Sequence, residues 1–64
     1  MRNPRIDPKH GDVLEHQTGE CRAVIARPQD DSIVRYRDRG TVSECSAMEW
    51  QEWAKQTSIV GLAD

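Results

Sequence analysis

The stretch "SIVRYRDRGTVSECSAMEWQEW" (residues 32–53) changes from strand-like to helix-like patterning partway along its length. In "SIVRYR" (32–37), Val34 and Tyr36 fall on one side and Ile33, Arg35 and Arg37 on the other, the alternation of a strand with one buried face. "DRG" (38–40) reads as a three-residue hairpin loop, a type I turn with Gly40 in the left-handed position. Such a loop is flanked by Arg37 and Thr41. It sets Tyr36 opposite Val42, a favourable aromatic and β-branched pair that keeps Val42 inside. A two-residue loop would instead pair Arg35 with Glu44, and pattern alone leaves the register open. Ser46 followed by Glu49 is an S-x-x-E capping box. Ala47, Trp50, Trp53, Ala54 and Thr57 then recur at helical spacing, which predicts a helix over about 46–57. A helix that short is marginal alone in water. It must dock, and its adhesive face is the tryptophan face.

Working outward, "DVLEH" (12–16) is a first strand, Thr18-Gly19 a turn, and "ECRAVIAR" (20–27) a second strand. "PQDD" (28–31) breaks it, because Pro28 cannot donate to a ladder. The tail "SIVGLAD" (58–64) is apolar enough for one more short strand or an extended segment against the core. Residues 1–11, with Pro4, Pro8, Gly11 and no apolar period, form an irregular arm; 12–64 form one small domain. The expected class is mainly β (α+β). Its core is a bent antiparallel sheet or partly open barrel of four to five strands, with one C-terminal helix packed on it.

Gly11-Asp12-Val13, Val34-Arg35-Tyr36-Arg37, Gly40, Cys45-Ser46 and the W-x-x-W of Trp50 and Trp53 followed by Ala54 resemble a recurrent pattern. It is that of small uncharacterised SH3-like barrel proteins of phage, prophage and bacterial type, over roughly residues 11–55. The resemblance implies an SH3-like barrel and binding of peptide, protein or nucleic acid rather than catalysis. It transfers no functional residue.

Composition narrows the function classes. The chain has 64 residues and a formal charge of -2, from 9 basic and 11 acidic side chains. That balance argues against a generally basic nucleic-acid binder and a polybasic membrane anchor. No segment is long enough to span a bilayer, and "MRNPRIDPKHG" lacks the apolar region of a secretory signal. A cytoplasmic location is expected, with Cys21 and Cys45 as reduced thiols. A chain this small depends on each large apolar side chain, and without phenylalanine the two tryptophans carry much of its core. Homodimerisation stays open for so thin a core.

Four constellations carry residue types suited to chemistry or binding. His10, His16, Cys21 and Cys45 are zinc-ligand types, but their spacing matches no common knuckle. Cys45 precedes a helix N-terminus, where a thiol pKa can fall; an inert residue at the strand-to-helix corner is the simpler reading. Arg35, Arg37 and Arg39 make an arginine face, with Arg22 or Arg27 nearby, suited to a nucleic-acid backbone or to solvent. Trp50 and Trp53 are first of all core, with Trp53 partly exposed at the helix edge. The expectation is a non-enzymatic binding or adaptor module without metal or cofactor, contacting protein. Backbone binding of nucleic acid through Arg35, Arg37 and Arg39 is the alternative, and Trp53 completes the candidate binding set.

Overall fold

The computed structural model describes residues 3–27 and 32–63, so the "PQDD" break lies outside the described residues. The strands are β1 (Val13–His16), β2 (Cys21–Ala26), β3 (Ile33–Asp38), β4 (Thr41–Ser46) and β5 (Thr57–Gly61). One helix, α1 (Ala47–Ala54), lies between β4 and β5. The strands form a single open antiparallel sheet in the order β4-β3-β2-β1-β5. Alternation in β3 places Val34 and Tyr36 inside and Arg35 and Arg37 outside, as their spacing predicts. Leu14, Val24, Val34 and Tyr36 on one face of the sheet meet Trp50 and Ala54 of α1 to form the core. Trp53 packs against its edge, half-buried.

The β3–β4 hairpin corrects the expected loop. Asp38 pairs with Thr41, Arg37 with Val42, Tyr36 with Ser43 and Arg35 with Glu44. The loop is therefore the two residues Arg39 and Gly40, both at positive φ (53° and 86°), the signature of a type I′ turn. Val42 stands outside, 51% exposed, instead of facing Tyr36 in the core. Two gains favour this register: a turn whose twist matches the strands, and an Arg35–Glu44 ion pair across them. The three-residue loop occurs one hairpin earlier. Gly19 N–H donates to His16 O at 2.9 Å and His16 N–H to Glu20 O at 2.7 Å, with Gly19 at φ 95°.

Two irregularities bend the sheet. Ile25 is an extra residue between the Val24–Tyr36 and Ala26–Arg35 pairs, and Val60 is extra between Leu14–Ile59 and Val13–Gly61. Each bulge adds local twist, which curls the sheet around α1.

Helix α1 begins as predicted. Ser46 Oγ accepts from Glu49 N–H and Glu49 Oε1 from Ser46 N–H, both at 3.0 Å. It ends at Ala54, earlier than the spacing suggested. Thr57, which fell on the helical period, opens β5 opposite His16. Its hydroxyl donates to Ala54 O at 2.6 Å and so satisfies one of the orphan carbonyls of the helix end.

Before β1 the described residues form no strand or helix, yet they pack as part of the domain. Pro4 and Pro8 are fully buried. The Trp50 indole donates to Pro4 O at 3.0 Å, and Arg5 donates to Thr57 O through Nε (3.2 Å) and Nη2 (2.8 Å). Asp12 joins this segment to the C-terminal one. Its carboxylate is wholly buried and accepts Lys9 N–H at 2.8 Å and Ala63 N–H at 2.7 Å. Gly11 beside it, at φ 103°, takes a backbone conformation that L side chains rarely adopt, and a Cβ there would lie a tight 3.0 Å from that of Ala63.

Candidate functional site

The three arginines of the outer face are not equivalent. Arg35 places Nε and Nη2 on Glu44 Oε2 at 2.7 and 2.6 Å, so its charge is compensated across the hairpin. Arg37 lies between Ala23 of β2 and Val42 of β4, and Arg39 occupies the turn. Neither side chain forms a hydrogen bond or ion pair among the described residues. Arg22 and Arg27 do not join them. Arg27 donates to Ile33 O at 3.1 Å and Pro8 O at 2.7 Å, and Arg22 turns to the opposite face.

Arg22 organises the inner edge of the sheet. Its guanidinium carbon lies 4.4 Å from the Tyr36 ring centre and 4.2 Å from that of Trp53. Nε donates to Glu20 Oε2 at 2.9 Å, while the Trp53 indole donates to Glu20 Oε1 at 3.0 Å. His16 stacks on Trp53 with ring centres 5.6 Å apart, and Trp50 closes the other side at 5.2 Å. Burial works to raise the Glu20 carboxyl pKa, but the bonds from Arg22 and Trp53 outweigh it and hold the group below its ordinary value. Trp53, a candidate for partner contact, is thus in contact with His16, Arg22 and Trp50 through its ring and with Glu20 through its N–H. The cluster was legible through alternation: Arg22 and Val24 of β2 share one face with Glu20 just before it, and Val24 is core.

The cysteine and histidine candidates are not assembled. Both thiols are free, and burial pushes the Cys45 thiol up, against the helix-terminus effect that would activate it. Among the described residues, no three His, Cys, Asp or Glu side chains converge as metal ligands. A polar cavity of about 220 Å³ lies at the N-terminal turn, lined by Asp7, Pro8, Lys9, His10 and Arg27.

Sequence reasoning missed the β5 edge. One side of β5 pairs with β1; among the described residues the other carries no strand, and Arg5 reaches Thr57 O there. Ile59, Val60 and Leu62 there are 43%, 60% and 44% exposed. The apolar tail was legible, but its place at a sheet edge depends on a pairing with β1 that no local pattern encodes. No helix among the described residues is long and apolar enough to cross a membrane. No family model, curated protein or solved structure matches the chain.

Proposed function

We propose that the protein is a non-enzymatic binding module on a partly open SH3-like barrel, and that it contacts protein through the outer edge of β5. One observation carries this reading: an edge strand whose outward side, beyond the Arg5 contact to Thr57 O, is joined by no strand among the described residues, with Ile59, Val60 and Leu62 exposed beside it. An extended segment added there gains main-chain hydrogen bonds, and the alternating apolar side chains supply selectivity. The bulged five-strand sheet closed by α1 supports the SH3-like part of the reading.

Selection of linear peptides on the immobilised protein tests it. Selected peptides are expected to protect the Ile59 amide, which faces away from β1, from hydrogen exchange and to lose binding to Ile59→Lys. Peptides that instead protect other strands, or an empty selection, would overturn it.

Nucleic-acid backbone binding is the second reading, favoured by the unpartnered Arg37 and Arg39 on the outer face. With Arg35 held by Glu44, few phosphates would be neutralised, so the salt slope of log K is expected to be about -2 or shallower. An Arg37→Ala variant that leaves binding to a DNA duplex at low salt unchanged would sink it.

A further inference from the structure

We infer that the opposite edge of the sheet, β4, pairs with β4 of a second copy of this chain, antiparallel about a two-fold axis that passes through Ser43 perpendicular to the sheet. This edge lies at the far end of the sheet from β5, so the inference stands apart from the protein-binding reading there.

The two-residue loop closes on the Asp38–Thr41 pair, so Thr41, Ser43 and Cys45 turn their N–H and C=O groups to β3. Those of Val42 and Glu44 face away from it. Among the described residues no strand joins that side, and no hydrogen bond takes these groups. The Ser46 N–H, next in the series, is already held by Glu49 Oε1. One register uses the whole of this free stretch: Val42 opposite the partner's Glu44, Glu44 opposite the partner's Val42, and Ser43 on the axis. Each Val42–Glu44 pair then exchanges both of its main-chain bonds. Shifted towards the helix, the pairing would set Glu44 against the partner's Glu44, like charges directly opposite. Shifted towards the turn, it would leave Glu44 against the partner's Gly40 and waste its main-chain groups.

The side chains fit the same register. Val42, Glu44, Arg35 and Arg37 share the outer face. Arg35 bonds Glu44 through Oε2, and Glu44 Oε1 has no partner among the described residues. The Arg37 side chain has none either, and it stands beside Val42. Across the joint, Arg37 and the partner's Glu44 are two strand spacings apart, about 10 Å between backbones. An arginine and a glutamate side chain together span that gap over the short Val42 side chain. Each Glu44 is then shared between its own Arg35 and the partner's Arg37, and Val42, 51% exposed in the single copy, is covered. The axis keeps both α1 helices on one side of a continuous sheet. The contact is isologous, so it closes at two copies. It is short, below the ~1,200 Å² of a stable interface, which makes the dimer weak and dependent on concentration.

Sedimentation equilibrium on the reduced full chain, from about 10 μM to about 1 mM, is the test. The expected mass rises from 7.3 kDa towards twice that figure. In hydrogen exchange over the same series, the Val42 and Glu44 amides should slow with concentration, while the Ser43 amide, bonded to β3 in either state, should not. Arg37→Glu, which breaks no side-chain bond in the single copy, is expected to weaken association at least about tenfold. Glu44→Arg should weaken it as well, and an equimolar mixture of the two variants should associate again, because each offers the other the complementary charge. A monomeric mass at about 1 mM overturns the dimer. A dimer whose slowed amide is Ile59, with Val42 and Glu44 unchanged, overturns the choice of edge. An Arg37→Glu variant that associates as tightly as the wild type overturns the register.

Discussion

At the scale of single residues, the least comfortable position is Arg39. It sits at φ 53° in the hairpin turn, where an L-residue with a long side chain is disfavoured by roughly 1–2 kcal/mol and asparagine is tolerated. Arg39→Asn is expected to raise stability by about 0.5–1 kcal/mol in urea unfolding. An unchanged or lower midpoint would show that Arg39 compensates its strain elsewhere. Arg22 is the opposite case. Its planar cation fits between Tyr36 and Trp53 and bonds Glu20, geometry that a lysine cannot reproduce. Arg22→Lys should cost about 1–2 kcal/mol, and Arg22→Ala should move the Glu20 titration up towards its ordinary value, read by carboxyl NMR.

At the scale of elements, the capping box is the part most fully written in the local sequence. Ser46 and Glu49 satisfy each other's backbone N–H groups as their spacing predicts. Ser46→Ala should cost about 1 kcal/mol. The backbone N–H and hydroxyl of Ser46 hold the Glu49 carboxyl below its ordinary pKa, and Glu20 is lowered as well. For groups lowered on folding, the stabilisation is complete above the unfolded value, about 4.3. It is lost as pH falls through the lower folded values. An acid limb in thermal stability is therefore expected below about pH 4.3; Ser46→Ala should flatten it.

Elsewhere local chemistry was ambiguous. "DRG" supports a two- or three-residue loop, and the choice lay in the Arg35–Glu44 contact across the hairpin. Thr57 fits a helical period, yet it serves better as the residue that ends α1 and starts β5.

Across the whole molecule, long-range joints decide what the sequence leaves open. Strand identities, the inward face of β3 and the core role of Trp50 followed from patterning. The packing of the N-terminal segment did not, because Pro4 O and Arg5 find their partners only once α1 and β5 are in place. Gly11 belongs to the same set. Gly11→Ala forces a side chain into a left-handed backbone and against Ala63. A loss of at least about 1–2 kcal/mol is expected, with exchange protection lost first at the Ala63 amide. If that amide stays protected, the Asp12 clasp does not depend on the glycine.

The clasp and the β1–β5 ladder also impose an order of events in time. Ala63 and Asp12 are 51 positions apart, whereas β2, β3 and β4 are joined by near neighbours. Closing so long a loop costs entropy before any contact repays it. The β2–β3–β4 meander should therefore be formed in the folding transition state, and β5 should arrive after it. In stopped-flow measurements, Ile59→Val is expected to speed unfolding with little change in the folding rate, while Val34→Ala slows folding. The strand at the sheet's edge is then the last to take its place, and the first to leave when the chain unfolds.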